Sequence, residues 1–219
     1  MSKDNPSVVI YGTGGHARVV HEILAIRNIP VAGFMDREEN HESKMVLGRP
    51  LFGSEALLVK KPYPFDAAVI AVGNGQVRKI LFELFRANNI PIMTVIHPSA
   101  VVSPSARLGN GCCICAGAVI GPGSSVGDGV IINTNASVDH DCSIGNFVHI
   151  APGATVCGGV KIGQLSFFGA GSIIIQEKEI GEESMIGAGS LVLKNVSSRV
   201  IVYGSPATER GPWPKAKAS

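Results

Sequence analysis

The sequence has few charged residues and no stretch of a single sign. Asp, Glu, Lys and Arg make up 16% of the 219 residues, and the formal net charge is +2. Its one basic cluster, Lys215 and Lys217, lies in the last few residues. A protein that binds nucleic acid needs a concentrated basic surface. We therefore expect no nucleic-acid partner.

The sequence also lacks a long apolar run. No segment approaches the roughly 20 apolar residues that cross a membrane, so we expect no membrane partner. The polar start, MSKDNPS, leads directly into a strand pattern rather than into the apolar core of a signal peptide. These features predict a cytoplasmic protein, and the 45% apolar content is enough for a buried core.

Cysteine is scarce and odd in number, with five residues in all. In a cytoplasmic protein, reduced thiols are the default. Cys112, Cys113 and Cys115 lie close together, but no second Cys-x-x-Cys or His pair accompanies them, as a zinc site would require. We therefore expect no metal.

The first 97 residues alternate strand and helix patterns, which predicts a Rossmann-like α/β domain with a parallel sheet. Apolar runs and helical spacing predict the following elements: strands at Val8–Tyr11, Val31–Met35, Ala67–Val72 and near Ile92–Ile96, and helices at Ala17–Arg27 and Val77–Ala87.

From Val102 onward the sequence has a period of six. Every sixth residue from Val102 to Val192 is apolar, sixteen positions without a slip. The residue two places earlier is Ala, Ser or Cys in twelve of the sixteen, and Gly commonly follows the apolar residue. This period fits neither a helix nor simple strand alternation, and it is typical of a hexapeptide β-solenoid. We predict the solenoid over residues 98–210, followed by a flexible tail over 211–219.

Five segments carry a resemblance to a known family: VIYGTGGHARVV, AVGNGQVRK, IHPSAVVSPSA, NTNASVDHDCSIGNFVHIAPGATVCGGVKIG and GSPA. They resemble the bacterial nucleotide-sugar N-acetyltransferases of bacillosamine-type pathways and the related sialic-acid O-acetyltransferases. The resemblance implies a left-handed parallel β-helix of about five coils, with three hexapeptides in each. It also implies acetyl-CoA as co-substrate and assembly as a homotrimer.

The resemblance implies that His140 is the catalytic base and that Asp141 orients its imidazole. A neutral histidine is suited to removing a proton from an attacking amine near pH 7. Adjacent residues on a flat strand point to opposite faces, so the two can cooperate only at a corner or a bend. Asp139 remains the alternative partner.

Coenzyme contacts are likewise implied by the resemblance. His149 would donate a hydrogen bond to the acetyl carbonyl, which stabilises the charge that develops there. Gly158, Ala170 and Ala188 would present backbone to the pantetheine arm. Small residues also suit the turns of a solenoid, so the two interpretations coexist.

The glycine-rich turn after the first strand predicts a phosphate site. Gly12, Gly14 and Ala17 fit G-x-G-x-x-A, and Asp36 follows a second strand. With only one mononucleotide half present, the diphosphate of a nucleotide sugar fits better than a dinucleotide. Together with the resemblance, this assigns the acceptor to the following residues: Gly14, Gly15, His16, Asp36, Arg37, Gly73, Asn74 and Asn133.

Several functions stay open. The first hypothesis is N-acetylation of a UDP-linked 4-amino-4,6-dideoxy sugar for surface glycans, with a GDP-linked sugar such as perosamine as the second acceptor. Alternatives are O-acetylation of a sialic-acid-like sugar, a non-catalytic solenoid used for assembly, and an NAD-dependent oxidoreductase that rests on the glycine turn alone.

Overall fold

The computed structural model describes residues 6–37, 45–59 and 61–213. The chain divides into two compact units, Met1–Pro98 and Ser99–Ser219. The division lies within one residue of the boundary expected from the change in sequence pattern. Each unit is described by itself below.

The first unit is built on a short parallel sheet. In chain order its elements are β1 (Val8–Tyr11), α1 (Gly15–Ile26), β2 (Val31–Met35), β3 (Met45–Val46), β4 (Arg49–Pro50), a 3-10 helix (Glu55–Val59), β5 (Ala67–Ile70), α2 (Gly75–Ala87) and β6 (Val95–Ile96). Strand β1 lies between β2 and β5 in the sheet, and all three are parallel. Strands β3 and β4 form an antiparallel pair that the sequence pattern did not predict.

The fourth strand expected near Ile92–Ile96 forms only in part. Ile92 makes an isolated parallel bridge to Ala68, and a separate two-residue strand, β6, follows it. Every residue of β1 and β5 is buried, which fits strands covered on both faces by helices. Helix α1 buries Val20, Ile23 and Leu24, the stripe expected from its helical spacing.

The second unit consists of short parallel strands of two residues and a terminal hairpin. The strands are β7 (Val101–Val102), β8 (Arg107–Leu108), β9 (Cys113–Ile114), β10 (Val119–Ile120), β11 (Ser125–Val126), β12 (Ile131–Ile132), β13 (Ser137–Val138), β14 (Ser143–Ile144), β15 (His149–Ile150), β16 (Thr155–Val156), β17 (Lys161–Ile162), β18 (Phe167–Phe168), β19 (Ile173–Ile174), β20 (Glu179–Ile180), β21 (Met185–Ile186), β22 (Leu191–Val192), β23 (Val200–Gly204) and β24 (Ala207–Pro212).

These strands stack into three faces. Face one contains β7, β10, β13, β16, β19 and β22; face two contains β8, β11, β14, β17 and β20; face three includes β9, β12, β15, β18, β21 and β23. Partners in adjacent coils are eighteen residues apart, as Ile120 and Val138 are. The predicted fold class, an α/β unit followed by a left-handed parallel β-helix, is confirmed.

The solenoid makes six turns rather than the five inferred from sixteen hexapeptides. The last turn runs from β22 through a single bridge between Val196 and Ile180 to β23. The bridge and β23 have left the six-residue register, so the periodic pattern could not count them.

Apolar residues of the six-residue register fill the interior of the prism. All of them are buried except the first two, Val102 and Leu108. The glycines that follow the apolar residues allow coils to approach closely. A Cβ on Gly145, for example, would lie 2.5 Å from the backbone nitrogen of Gln164 in the next coil. The inward packing of each coil therefore depends on its neighbours.

The chain end is more ordered than the sequence predicted. Strand β24 pairs antiparallel with β23 and continues to Pro212, and the Trp213 N–H donates to the Arg199 carbonyl at 2.8 Å. The tail expected from residue 211 therefore begins inside a strand, and its last six residues lie outside the described ranges. Neither α-helix of the described chain is long and apolar enough to span a membrane.

Candidate active site

His140 and Asp141 occupy the corner between faces one and two. They form the turn that joins β13 to β14. Asp141 has a φ of 57°, in the left-handed region, so the backbone bends sharply at this corner. His140 Nδ1 consequently lies 2.9 Å from Asp141 Oδ2, although the residues are adjacent. The corner supplies the bend that a flat strand would not.

Hydrogen bonds to the preceding coil fix the backbone of this corner. Buried Ser124, one coil earlier, donates its hydroxyl to the Asp139 carbonyl at 2.6 Å and accepts from the Cys142 N–H at 3.0 Å. The Asp141 N–H donates to the Pro122 carbonyl at 2.9 Å. Backbone positions at the corner are thus fixed by hydrogen bonds that do not involve the imidazole or its carboxylate partner.

The carboxylates around His140 favour its protonated form. The hydrogen bond that His140 Nδ1–H donates to Asp141 is the largest cause that raises the pKa of His140, and the charge of Asp139 adds to it. Asp139 Oδ1 also accepts a hydrogen bond from the backbone N–H of His140 at 2.8 Å. Asp139 therefore stabilises the turn, while Asp141 contacts the ring. The imidazole side chain is 57% exposed, which leaves it accessible to a substrate.

Gly158 lies against the same imidazole. A Cβ on Gly158 would meet three atoms of the His140 ring before any other part of the protein, with Cε1 at 2.6 Å and Cδ2 at 3.0 Å. The resemblance assigns the backbone of Gly158 to the coenzyme, and the structure also places this residue beside the proposed base.

Other predicted coenzyme residues gather at a different corner, between faces three and one. Ala170 and Ala188 are exposed there in consecutive coils. His149 lies on β15 of face three, and its Nε2 is 3.3 Å from the Asn133 amide nitrogen. Its ring packs edge-on against Phe167, with the ring centroids 5.2 Å apart. The structure thus brings Asn133 and His149 together.

These two corners lie at opposite edges of face one. Val101, Val119 and Ile173 point outward from that face and are exposed. Face two differs, since Lys161 and Glu179 form an ion pair of 2.9 Å on adjacent strands. One surface of the prism therefore has apolar side chains between the two groups of predicted site residues.

In the first unit, the glycine turn connects β1 to α1. A Cβ on Gly12 would lie 2.8 Å from the Ala71 carbonyl, and its φ of 112° favours glycine, so the chain itself requires Gly12. Gly14 and Gly15 differ, because nothing lies within 4 Å of the Cβ that either would carry. Gly14 is the N-cap of α1 and supplies no side-chain hydrogen bond. This leaves an open helix N-terminus, a geometry that suits an anion.

Asp36 and Arg37 follow β2 beside this turn. The Thr13 hydroxyl donates to Asp36 Oδ2, and the Arg37 N–H donates to Asp36 Oδ1 at 2.7 Å. The Arg37 side chain is exposed. The carboxylate of Asp36 is thus oriented within the turn that carries the glycines.

His16, on the first turn of α1, is held neutral. Burial, and then the charge of Arg78, lowers the pKa of His16 to about 4. Its Nε2 is shielded from solvent and has no hydrogen-bond partner in the described part of the chain. A neutral imidazole with an unused nitrogen beside an open helix N-terminus is suited to a hydrogen bond with a ligand.

Arg78 is the functional candidate that the sequence reasoning missed. Its side chain is buried, and its guanidinium donates to the carbonyls of Val72 at 2.8 Å and Gly73 at 3.0 Å. It thereby fixes the loop that carries Gly73 and Asn74. The available signal was an arginine on the apolar stripe of α2, since Arg78 shares its buried face with Leu81 and Phe82.

Asn74 has a structural role of its own. Its Oδ1 caps α2 by accepting from the N–H groups of Gln76 and Val77, at 3.0 and 3.2 Å. A substrate contact would therefore have to use its amide nitrogen or backbone.

No disulfide joins the five cysteines, which all lie in the described ranges, and the Sγ atoms of Cys113 and Cys115 lie 3.8 Å apart. Across the described ranges, His, Cys, Asp and Glu form no group of three that could hold a metal ion.

Comparison with known proteins identifies the family. Residues 7–85 match the family model of the PglD N-terminal domain, and residues 141–176 match that of the bacterial transferase hexapeptide. UDP-N-acetylbacillosamine N-acetyltransferase from Bacillus subtilis (strain 168) is 37% identical over 114 residues, which cover 50% of this chain and 51% of that protein. The match spans about half the length of this curated relative.

Solved structures extend the likeness to nearly the whole chain. A mutant of GDP-perosamine N-acetyltransferase from Caulobacter crescentus, in complex with CoA and GDP-perosamine, has a TM-score of 0.89 and 37% identity, covering 94% of this chain and 97% of that one. The acetyltransferase domain of PglB from Neisseria gonorrhoeae, in complex with acetyl coenzyme A, has a TM-score of 0.87 and 35% identity, covering 94% and 100%.

The chain belongs to the bacterial nucleotide-sugar N-acetyltransferases. Membership confirms the predicted family, enzyme class and acetyl-CoA-dependent chemistry, and it removes the non-catalytic solenoid and the oxidoreductase as interpretations. The roles of individual residues in this acetyltransferase stay predictions.

The His140–Asp141 pair predicts a pH dependence for the acetyltransferase. A protonated imidazole accepts no proton, so kcat/KM should fall as the pH drops through the pKa of His140. The midpoint of this acid limb should lie above about 6.5, the ordinary pKa of histidine, because the carboxylates raise the pKa of His140. The Asp141→Asn variant removes the main cause of the raised pKa and should move the acid limb of the kcat/KM profile to lower pH. The Asp139→Asn variant should move this limb less.

The measurement is kcat/KM against pH for the wild type and the two variants with one acceptor. The acceptor's own amine titrates identically in all three, so the shift between variants isolates the imidazole. Identical acid limbs for the wild type and Asp141→Asn would rule out this carboxylate as the partner of the ring.

Proposed function

We propose that the chain transfers the acetyl group of acetyl-CoA to the amino group of a nucleotide-linked 4-amino-4,6-dideoxy sugar, for surface glycan biosynthesis. The observation that carries this proposal is the corner at His140. Its exposed imidazole has one nitrogen 2.9 Å from a carboxylate, in a chain whose family performs N-acetylation. Because acetyl-CoA is a metabolite of the cytoplasm, we place the reaction there.

The hydrogen bond to Asp141 assigns the two ring nitrogens. With Nδ1–H donating to the carboxylate, Nε2 has the lone pair that accepts the proton of the attacking amine. The amine nitrogen forms a bond to the acetyl carbon, and the carbon–sulfur bond then breaks. Nε2–H returns the proton to the departing sulfur, so CoA leaves as the thiol and the imidazole is neutral again.

His149 is proposed to donate a hydrogen bond to the acetyl carbonyl. That oxygen gains negative charge as the amine attacks, and a donor fixed beforehand stabilises it. The neighbouring Asn133 amide and the edge-on Phe167 ring restrict the imidazole of His149. Asn133 is proposed to lie near the sugar, and Ala170 and Ala188 to present backbone to the pantetheine arm.

The glycine turn of the first unit is proposed to bind the nucleotide. The open α1 N-terminus at Gly14 and Gly15 suits the diphosphate, and the neutral His16 suits a phosphate or hydroxyl oxygen. Asp36 and Arg37 would take ribose or base groups, and Gly73 and Asn74 would complete the site. A UDP-linked acceptor is our first choice. A GDP-linked acceptor is the second, favoured by the likeness to GDP-perosamine N-acetyltransferase over 94% of the chain.

A homotrimer is proposed to complete the active site. The base corner and the corner that carries Ala170 and Ala188 lie at opposite edges of face one. The exposed Val101, Val119 and Ile173 make that face suitable for contact with another copy. Adjacent prisms could then place the base of one copy beside the coenzyme corner of the next.

Light scattering should give three times the chain mass, and the mass of one chain at micromolar concentration would rule the trimer out.

The direct test of the proposed base is His140→Ala. It should lose about 10²–10⁴-fold in kcat, the range for a missing general base, while acetyl-CoA and nucleotide still bind. His149→Ala is the matched variant. It should cost less kcat and should weaken acetyl-CoA binding, because it removes a contact to the coenzyme rather than the proton acceptor.

Thiol release from acetyl-CoA measures turnover, and calorimetry measures binding. Turnover of His140→Ala within about threefold of the wild type would transfer the base role to Asp139 or to a group on the substrate.

A further inference from the structure

The glycine at position 158 is not required by the solenoid. Each hexapeptide corner has a first turn residue, and these sixteen positions hold varied side chains. They are Pro104, Asn110, Ala116, Pro122, Asp128, Thr134, His140, Asn146, Pro152, Gly158, Gln164, Ala170, Gln176, Glu182, Ala188 and Lys194. Gly158 is the single glycine among them. The repeat places its glycines elsewhere, so another requirement selects glycine here.

The backbone conformation at position 158 does not require glycine. Left-handed φ values occur at the second turn residue, as at Gly159 with a φ of 69° and at Asp141 with 57°. Gly158 itself has no positive φ, so a residue with a side chain would fit its backbone.

The space at position 158 does require glycine. A Cβ on Gly158 would overlap the His140 imidazole at Nε2, and its next two contacts, Cε1 and Cδ2, belong to the same ring. The two residues are eighteen apart, so Gly158 is the corner residue that stacks directly on His140 in the next coil. The Gly159 N–H also donates to the His140 carbonyl at 2.9 Å, which fixes the spacing of the two turns.

The exposed imidazole therefore has two constraints on its position. Asp141 holds the Nδ1 edge by a hydrogen bond, and the bare backbone of Gly158 lies against the Nε2 edge. We propose that Gly158 is a positioning residue, whose missing side chain gives the His140 ring the place from which Nε2 meets the acceptor amine. This proposal rests on the proposed function for the identity of the reacting nitrogen.

A Cβ at position 158 would displace the imidazole, and we expect the displaced ring to lose its hydrogen bond to Asp141. Displacement of a reacting group by about 1 Å can cost about 10²-fold in rate. Loss of the Asp141 hydrogen bond would also remove the main cause that raises the pKa of His140.

The test is Gly158→Ala, compared with Gln176→Ala. Gln176 is exposed and occupies the same corner one coil further on, so its variant controls for change at this corner. Gly158→Ala should lower kcat by about 10²-fold and leave the Kd of acetyl-CoA within about twofold. Gln176→Ala should match the wild type in both.

Two further readouts separate positioning from general damage. The NMR titration of His140 should show a lower pKa in Gly158→Ala than in the wild type, because the ring has left Asp141. In a His140→Ala background, adding Gly158→Ala should change kcat by less than about twofold, because the two changes act through one group.

An unchanged titration of His140 together with an unchanged kcat would overturn the proposal. A 10²-fold loss that persists in the His140→Ala background would overturn it too, since Gly158 would then act without the imidazole. The titration needs no acceptor and no turnover, so it tests the placement of the ring even if His140 were shown not to be the base. If the Gly158→Ala variant has a lower melting temperature than the wild type, the double variant with His140→Ala should regain stability, because removal of the imidazole leaves room for the new methyl group.

Discussion

The structure of the second unit depends on the parallel stacking of coils at intervals of eighteen residues. Apart from the terminal hairpin of β23 and β24, each strand has only two residues, so a single coil has too little apolar surface to be stable alone. Stacking buries the inward aliphatic residues and pairs the backbone of each strand with the coils on both sides. The same repeat fixes every corner relative to the one above it. That is how His140 comes to lie between Pro122 and Gly158, and how an exposed side chain acquires a defined position.

Much of this fold could be predicted because the apolar residues recur at regular intervals in the sequence. The six-residue register identified the solenoid, and the strand and helix patterns identified the α/β unit. Prediction failed where the chain departs from a period. The sixth turn, closed by Val196 and β23, has no hexapeptide, and the β3–β4 pair is too short for a pattern. The predicted tail begins at residue 211, inside the polar strand β24, because a hairpin strand outside the six-residue register has no periodic signal.

The candidate site was predictable in its residues and less so in their arrangement. The resemblance supplied His140 and Asp141, but only the left-handed φ of Asp141 explains how neighbours in sequence can touch. The resemblance assigns Gly158 to the coenzyme, and only the three-dimensional structure reveals its contact with His140. No role was predicted for Arg78, although a charged residue on the apolar stripe of α2 indicates buried hydrogen bonds such as those it donates to the Val72 and Gly73 carbonyls.

The proposed function requires that acetyl transfer ends on the amino nitrogen of a nucleotide-linked sugar. The direct measurement follows ¹³C-labelled acetyl-CoA by NMR in the presence of a UDP-4-amino-4,6-dideoxy sugar, with the GDP-linked sugar in parallel. We expect a labelled amide on the sugar nitrogen, formed with an equal amount of free CoA, and faster with the UDP-linked sugar. Label on a sugar hydroxyl, or free labelled acetate with neither acceptor modified, would contradict the account.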